Sequence, residues 1–562
     1  MYLDFLVKMP DAPGKLVRVR KGNTTYIDYE YDRTYDSEKK YTAPKRSTIG
    51  KLSKDDNFMM QPNQNFLKFF PEAELPEEKD RTSRSSCLRV GAYIVIKKII
   101  RDYGLTEILG RYFAEKDKGL FIDIAAYSII SENNAGQYYP DYAYNHPLFT
   151  KGMHIHSDSK VSDFLNSITA DQSVEFLNDW NETKDHREKI YISYDSTNKN
   201  CQAGEIEMAE YGHAKNDKGI PIFNYAIAYD TNNNEPLFYE KYPGSINDVS
   251  QLQFMLDKAL GYGYKKIGFI LDRGYFSKGN IEFMDQCGYE FVIMVKGMAS
   301  FVNQLIFDNK GKFEGKRICN IPDYDVYGMT VKKKLYITDE TERYFHIYHS
   351  ISKESSERTA MEAKIQQMTK YLSQHSNEIK EFGTAFNKYF ELYYDDNKEK
   401  FLFATEQISV IEREIDLCGY FVIITSRKMT AKEAINLYKS RDVSEKLFRG
   451  DKSYLGNKSL RVHSDESASA KIFIEFIALI IRNKVYTCLK EEMKNLDRKP
   501  NYMTVPAAIK ELEKIEMVRQ LDNVYRLDHA ITATQKAILK AFGLDAAYIK
   551  YRATEISGEL KI

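Results

Sequence analysis

The sequence predicts an α/β protein built around a mixed β-sheet, and three observations support this class. The chain has 562 residues, too long for one compact core, so two to four domains are expected. Hydrophobic residues make up 43% and charged residues 29%, an ordinary balance that excludes wholesale disorder. Between residues 189 and 295, short apolar strands alternate with helical segments, as in proteins whose helices cover a sheet.

Charge and composition exclude several classes of protein. Lys and Arg together number 81, as do Asp and Glu, so the formal net charge is zero and a globally basic, histone-like protein is excluded. A zero net charge does not exclude local basic grooves. The N-terminus lacks a signal-peptide pattern, and the longest apolar stretch, 472–481, is shorter than the roughly twenty residues that a membrane span needs. The six cysteines contain no C-x-x-C pair, which indicates a reducing compartment and no zinc site. We expect a soluble, cytoplasmic protein.

The first 186 residues divide into two predicted regions. Residues 1–85 read as a small β-rich module, because segments 16–20 and 25–31 alternate polar and apolar residues around a turn at 22–23. Residues 71–86 are polar and rich in Pro and Glu, as in a linker. Residues 86–186 read as helical, with apolar positions at 90, 94, 95, 99 and 100.

The next region carries the predicted sheet. A strand at 189–195 ends in an acid, and segments 222–229 and 236–242 form a hairpin around three asparagines. A helix at 248–260, an apolar strand at 267–272, a helix at 279–287 and a strand at 291–295 follow. This order is that of a ribonuclease-H-like mixed sheet, with its first part at 187–297.

The remaining residues interrupt and then complete this pattern. Residues 298–426 are predicted to form a β-containing insertion, with strands at 328–336 and 344–349, a charged helix at 355–372 and a final hairpin ending at 421–425. A long amphipathic helix begins near Thr430, within a second part of the core at 427–495. Residues 496–562 form a C-terminal helical region.

Two acids stand at predicted strand ends. Asp195 closes the first strand, and Asp272 closes the apolar strand at 267–272. Sheet topology could place these ends side by side, where two carboxylates repel each other unless a cation compensates them. An acid after a strand is more often a turn residue or a helix cap, so this pattern alone leaves both readings open.

A third acid belongs to a narrow helical stripe. Tyr438, Arg441, Glu445 and Lys452 are spaced by three, four and seven residues, which places them on one side of a helix. One carboxylate between cations and a phenol suits a metal ion and a phosphodiester, with Glu445 for the ion and the others for phosphate oxygens. The alternative is a solvated charged face, and Gly450 argues against an undisturbed helix as far as Lys452.

The spacing Tyr-x2-Arg-x3-Glu-x6-Lys, complete in YKSRDVSEKLFRGDK, resembles the signature around the third acid of bacterial insertion-sequence DDE transposases of the IS-four-like group. The segments that follow Asp195 (Asp-Ser-Thr) and Asp272 (Asp-Arg-Gly-Tyr-Phe) resemble the first-acid and second-acid motifs of that group. The gap of 173 residues between Asp272 and Glu445 is similar to that of its long-insert relatives. The resemblance covers residues 189–490.

The resemblance implies a metal-dependent active site. Asp195, Asp272 and Glu445 would hold two Mg²⁺ ions, for which Mn²⁺ can substitute, and the ions would activate the nucleophile and stabilise the leaving oxygen. Tyr438, Arg441 and Lys452 would grip phosphates. Related enzymes can stack a flipped base on an aromatic residue of the insertion, often Trp. The one Trp here, Trp180, precedes the first acid.

The resemblance also implies partners and a reaction. The protein would be a nucleoid-associated bacterial cut-and-paste transposase that binds double-stranded DNA, at terminal inverted repeats and at the target. It would act as a homodimer, away from membranes, with residues 86–186 in DNA binding.

Local positive charge is available for DNA despite the neutral total. Residues 439–461 contain seven basic and three acidic residues. Arg449 lies in this stretch, and Arg273 lies beside the second acid, so both are candidate phosphate ligands. A basic run at 39–54 reads equally well as a solvated loop.

Other functions remain open. A metal-dependent nuclease on the same fold would cut without strand transfer, and a non-enzymatic DNA-binding protein descended from a transposase would keep the fold without the chemistry. A tyrosine recombinase would need no metal.

Overall fold

The structure is a computed structural model. It describes the chain except residues 1, 4, 38–39, 54–55, 76–83, 186–187, 202–205, 213–218, 247, 398, 451–454, 456–458, 497–499, 521–522 and 561–562. The side chains of residues 36, 248–249, 444–445 and 448–449 also lie outside the description. The chain divides into two compact units: the first comprises Met1–Ile168 with Ala470–Ile562, and the second comprises Thr169–Ser469.

The first unit opens with an antiparallel sheet. Its strands, in spatial order β1-β5-β4-β3-β2, are β1 (Val7–Lys8), β2 (Lys15–Lys21), β3 (Thr24–Asp36), β4 (Tyr41–Leu52) and β5 (Met59–Pro62). Helix α1 (Gln64–Phe69) packs Phe66 into the core formed by Ile27, Ile49 and Met60. The alternation seen in the sequence thus corresponds to β2 and β3, from which Leu16, Ile27 and Tyr29 face the apolar core.

Helices follow in the first unit after a short strand. These elements are β6 (Cys87–Arg89), α2 (Gly91–Asp102), α3 (Leu105–Leu109), α4 (Glu115–Ser131), α5 (Tyr139–Asn145) and α6 (Asp158–Ser167). Helix α2 buries apolar residues along most of its length, including Ile94, Val95 and Ile99. The helical pattern predicted at residues 86–186 is therefore present.

The second unit begins with a helix and the strands of a large sheet. These elements are α7 (Ala170–Glu182), β7 (Ile190–Asn200), β8 (Ile222–Asp230), β9 (Glu235–Pro243), α8 (Asp248–Gly261), β10 (Ile267–Leu271), α9 (Lys278–Gln286) and β11 (Glu290–Met294). The order of strands and helices is the one that the sequence predicts. Trp180 of α7 is buried and donates its indole N–H to the carbonyl of Pro236 at 3.0 Å, which fixes α7 to β9.

The rest of the second unit alternates strands and helices. These elements are α10 (Ala299–Phe307), β12 (Asn320–Ile321), β13 (Val326–Lys333), β14 (Arg343–His349), α11 (Ile351–Gln374), α12 (Thr384–Tyr389), β15 (Phe390–Tyr394), β16 (Phe401–Glu406), α13 (Ile408–Ile415), β17 (Tyr420–Thr425), α14 (Ala431–Lys439) and α15 (Asp442–Arg449).

One mixed sheet organises the second unit. Within the described residues its strand order is β12-β13-β14-β17-β11-β10-β7-β8-β9. Strands β7, β10 and β11 are mutually parallel, whereas β8 and β9 continue the sheet antiparallel to their neighbours. The fold is therefore mixed α/β, as the sequence predicts.

Part of the segment predicted as an insertion lies in this sheet. Strand β17 pairs with both β11 and β14, and β13 pairs with β14, so these strands extend the main sheet. The residues from α11 to α13 instead form their own apolar core around Ile365, Leu372, Phe390 and Phe401, beside the β15–β16 hairpin. A strand's membership of a sheet depends on its partners, which local patterns do not show.

The C-terminal elements return to the first unit. They are α16 (Asp465–Lys494, with residues from Ala470 onward in this unit), α17 (Val505–Leu512), β18 (Glu516–Arg519), β19 (Tyr525–Leu527), α18 (Ala533–Lys540) and α19 (Ala546–Glu559). Strand β18 pairs with β6 and β19, and Phe473 of α16 packs edge-on against Phe121 of α4 at 4.9 Å. Across the described residues, no helix has the length and apolar character needed to cross a membrane.

Candidate active site

Two acidic residues lie at matching positions on neighbouring strands of the second unit. Strands β7 and β10 are parallel, and their register pairs Leu271 with Tyr194. The next residue on each strand is an acid, Asp195 and Asp272. Asp272 keeps an extended backbone, with φ −69° and ψ 156°, so the register continues to this position. Because paired residues face the same side of a sheet, both carboxylates belong to one face. We call Asp195 and Asp272 the carboxylate pair.

Asp195 lies within a strand and not at its end. The sequence-based strand end was wrong, because β7 continues to Asn200 along β8. The polar residues that continue β7 beyond Asp195 are satisfied by contacts with the neighbouring strand. For example, Asn198 donates its side-chain N–H to the side-chain oxygen of Asn224 at 2.6 Å. The Asp195 side chain is half-buried, and its Oδ1 accepts the backbone N–H of Ser196 at 2.9 Å.

Asp272 is the point where β10 turns into a short 3-10 helix, Arg273–Tyr275. The carbonyl of Asp272 accepts the backbone N–H of Tyr275 at 3.0 Å. The ring of Tyr275 is buried against that of Tyr194, with centroids 5.4 Å apart. This packing fixes the turn and leaves the Asp272 side chain about one third exposed, at 36%. Arg273 is exposed on the same turn.

Arg441 joins the third predicted element to the second acid. Its Nη1 donates to Asp272 Oδ1 at 2.9 Å, and its side chain is only 13% exposed. An ion pair of this geometry and burial is stronger than an exposed one, because water screens it less. The structure therefore brings Arg441 to the carboxylate pair, a contact that spacing along the chain did not predict.

The segment that carries Arg441 is held by helix capping and core packing. The Thr430 side chain and the N3 residue Glu433 form a reciprocal capping box that starts α14. Ala431 and Ile435 pack into the apolar core beneath the sheet, with Ile270 and Val292. Helix α14 ends at Lys439, Ser440 and Arg441 form the junction, and α15 begins at Asp442. The single long helix expected from the sequence is thus two helices, although both junction residues keep right-handed helical dihedrals.

Tyr438 is a core residue. It is 5% exposed and packs in the same apolar core as Ile435. The Arg441 guanidinium lies over its ring, 5.3 Å from the centroid. Its predicted contact with phosphate stays a prediction, and the visible role of its ring is to support Arg441.

Glu445 and Arg449 lie on α15, which packs against β7, the strand of Asp195. Glu445 stands four residues, about one helical turn, after Arg441. The side chains of Glu445 and Arg449 lie outside the described residues, so the approach of the third predicted acid to the carboxylate pair stays a prediction. Lys452 also lies outside them.

The carboxylate pair has the donor chemistry of a divalent-metal site. Carboxylate oxygens are the ligands that Mg²⁺ prefers, usually one or two with water and phosphate oxygens. The ion pair with Arg441 engages Oδ1 of Asp272, which shows that this carboxylate already attracts a cation. Among the side chains described, no group of three potential ligands forms a metal cluster. The carboxylate pair therefore fits two of the ligands of a divalent-metal site, and a third carboxylate from Glu445 stays a prediction.

Lys199 was missed by the sequence analysis. It lies four residues after Asp195 on the same strand, is fully buried, and packs its ammonium 4.8 Å from the ring centroid of Tyr225. The alternation along β7 places Lys199 and Asp195 on the same face. A charged residue within a run of polar residues gave no sequence signal of burial.

The sheet and the carboxylate pair define an α/β protein with acids gathered on one face of a mixed sheet. Residues 186–481 match the family described as "Transposase DDE domain". This match spans more than half of the chain and contains Asp195, Asp272 and Glu445. The chain therefore belongs to the DDE transposase domain family.

The chain was also compared with curated proteins and with solved structures. No curated protein matches the chain. A solved structure, the cryo-EM structure of the piggyBac transposase synaptic complex with hairpin DNA, aligns over 84% of this chain and 83% of that chain, with 7% identity and a TM-score of 0.34.

Proposed function

We propose that the protein is a DDE transposase that cleaves DNA at the ends of an insertion sequence and joins those ends to target DNA. The observation that carries this proposal is the register of β7 and β10, which sets Asp195 and Asp272 at matching positions on one face. Membership of the transposase family supports the reaction class. The IS-four-like signature at 438–452 supports assignment to that group.

The sheet order supports a ribonuclease-H-like core. Strands β9, β8, β7, β10 and β11 follow one another across the sheet, with a meander of the first three and parallel pairing of β7, β10 and β11. In this proposal the core comprises residues 187–297 and 427–495, and the α11–α13 region with its own apolar core is the central part of the insertion.

The proposed catalytic residues are Asp195, Asp272 and Glu445. They would hold two divalent ions, Mg²⁺ or Mn²⁺, which supply the Lewis-acid chemistry that activates a water or 3′-hydroxyl and stabilises the leaving oxygen. Clustered carboxylates repel one another, so a site that gathers them favours cations. Arg441 offsets part of that repulsion at Asp272 before substrate arrives.

The remaining predicted residues are proposed to hold the DNA backbone. Arg441, Arg273, Arg449 and Lys452 are basic and lie in the segments that carry the acids, so they suit contacts with phosphate oxygens. Tyr438 is proposed to act with Arg441, whose guanidinium it supports. A homodimer would bring the two ends of the element together, with each double-stranded end held at one active site.

A strand-transfer assay separates this proposal from a simple nuclease. A duplex with a pre-cut 3′ end, taken from the DNA that flanks this reading frame, would be incubated with a supercoiled target plasmid and Mg²⁺. We expect the labelled 3′ end to become joined to the plasmid, and Asp272→Asn to abolish joining. Asp257→Asn, an exposed acid on α8, is the matched control. Cleavage of intact duplex without any joining would reject transposition in favour of a nuclease.

A further inference from the structure

A concave cavity in the first unit gathers positive charge. It has a volume of about 620 Å³ and lies among α2, α4, α19 and the loop at 148–152. Its basic lining residues come from four separate stretches of the chain and are Lys97, Lys98, Arg101, Lys118, Lys151 and Arg552. We call it the basic cavity.

The acids nearby do not balance these six cations. Glu115 and Glu559 also line the cavity, and they pair with Lys118 at 2.6 Å and with Lys97 at 4.0 Å. Asp102 lies outside the lining and pairs with both Lys98 and Arg101, and Glu555, also outside it, pairs with Arg552. Four acids, two in the lining and two outside it, therefore pair with five of the six cations and leave a formal surplus of two positive charges. Lys151 has no ion pair within the described part of the chain.

The fold withdraws several of these cations from water. The side chains of Lys118 and Arg552 are only 14% and 16% exposed. Burial lowers the pKa of Lys97, which means that its charged form loses hydration in this position. Each of these three cations has an acidic partner. The surplus positive charge of the cavity therefore lies on Arg101 and Lys151, whose side chains are exposed and open to an anion from solvent.

The loop that closes one side of the cavity is anchored by a buried acid. Asp123 accepts the backbone N–H of Phe149 at 2.6 Å and both the N–H and hydroxyl of Thr150. Gly119 lets the loop approach α4, since a Cβ there would lie 2.5 Å from Thr150 Cα. Lys151 and Gly152 follow this anchor, with Gly152 at φ +65°. These contacts with α4 fix the loop in place.

We propose that the basic cavity binds phosphate groups, through the convergent cations of α2, α4, α19 and the 148–152 loop. Charge-assisted hydrogen bonds from lysine and arginine are the usual means of phosphate recognition. The volume admits a short stretch of phosphodiester backbone or a free nucleotide. The inference that the bound phosphates belong to DNA rests on the proposed function. The inference that the cavity binds phosphate does not depend on it.

Inorganic tripolyphosphate is the probe for this site, with binding to the full chain measured by isothermal titration calorimetry. Arg101→Glu combined with Lys151→Glu changes two exposed lining residues. The matched control is Lys116→Glu combined with Lys550→Glu, which changes two exposed lysines outside the lining by the same charge. Arg101→Gln combined with Lys151→Gln is the second variant, and far-UV circular dichroism checks that each variant is folded.

We expect tripolyphosphate to bind the wild type and the cavity charge reversal to weaken binding by at least about tenfold, with the control within about twofold. Displacement of tripolyphosphate by a 20-base-pair duplex would identify DNA as the source, and displacement by ATP alone would identify a free nucleotide. Absent binding, or equal weakening by the control variant, would overturn the proposal. Because this readout involves no cleavage, its failure is distinct from failure of the transposase assignment.

Discussion

The carboxylate pair of the second unit and the basic cavity of the first concentrate charge of opposite sign. At the carboxylate pair, the Arg441 guanidinium lies 2.9 Å from Asp272 and is an internal cationic partner. At the basic cavity the chain supplies four acids for six cations, and the surplus is positive. Folding tolerates such imbalance mainly where a ligand of the opposite charge completes the set. This contrast supports the two proposals, a cation site in the second unit and an anion site in the first.

The largest expected effect comes from removing charge at the carboxylate pair and at the third acid. Asp195→Asn, Asp272→Asn or Glu445→Gln should lower DNA cleavage by at least about a thousandfold, because metal-assisted stabilisation of the reacting oxygens supplies several kcal/mol. A gel assay on end-labelled duplex measures this loss. The affinity for DNA, measured by gel shift, should change by less than about threefold, since none of the three substitutions removes a positive charge. Cleavage retained by any one variant would remove that acid from the site.

The next largest loss of cleavage is expected at Arg441, the ion-pair partner of Asp272. Arg441→Ala should lower cleavage by about ten- to a hundredfold, because it removes both the ion pair to Asp272 and a proposed phosphate contact. Arg441→Lys should recover part of this loss, since an ammonium restores charge without the planar fork. The measurement is single-turnover cleavage at saturating enzyme. Equal activity of Arg441→Ala and wild type would show that the ion pair serves folding alone.

Ligands of opposite charge should stabilise the protein through different residues. Mn²⁺ should raise the unfolding temperature of the wild type by about 2 °C or more, and Asp272→Asn should remove that shift. Tripolyphosphate should raise it to a similar extent, and Arg101→Glu with Lys151→Glu should remove only this second shift. Differential scanning calorimetry, with each ligand in a separate experiment, measures both. Loss of both shifts in one variant would mean that the two responses are not separate.

The smallest effect is the pH dependence of stability, which should run in opposite directions at two buried groups. Burial raises the pKa of Asp123 in the first unit from 3.8 to about 7, although its hydrogen bonds and Arg84 oppose that shift. Its folded form holds the proton more tightly, so its stabilising contribution is present below about pH 4 and is lost as pH rises to about 7. Burial lowers the pKa of His346 in the second unit from 6.5 to about 4. Its contribution is present above pH 6.5 and is lost as pH falls to about 4.

Urea unfolding between pH 4.5 and 7.5 checks these signs. Each group should contribute a slope of at most about 1.4 kcal/mol per pH unit. Relative to wild type, Asp123→Asn should remove a decline in unfolding free energy with rising pH, and His346→Gln should remove an increase. Identical pH profiles for both variants would show that neither group titrates as described.

Local patterns predicted much of the second unit. The hairpin around Asn232 to Asn234, the buried strand before Asp272 and the helix start at Thr430 are all present, because alternation, apolar runs and capping residues act over a few neighbours. The extension of β7 beyond Asp195 was missed, because its polar residues are satisfied by cross-strand partners such as Asn224. The entry of β17 into the main sheet depends likewise on partners distant in sequence.

The sites show the same division. Sequence motifs selected Asp195, Asp272 and Glu445, and the parallel register of β7 and β10 supports the first two as neighbours. The ion pair between Arg441 and Asp272 joins residues 169 positions apart and needs the folded sheet. The basic cavity left no trace in the sequence, because its cations come from four stretches between residues 97 and 552 and lie within a chain of zero net charge.

The most direct test of the central claim, that one metal-dependent centre is built from Asp195, Asp272 and Glu445, is cleavage of a labelled duplex that carries the DNA flanking this reading frame. Wild type and Glu445→Gln would be compared in Mg²⁺ and in EDTA. We expect nicking at the repeat boundary by wild type in Mg²⁺ only, and none by the variant. Tight binding without cleavage in any metal, or cleavage that persists in Glu445→Gln, would contradict it.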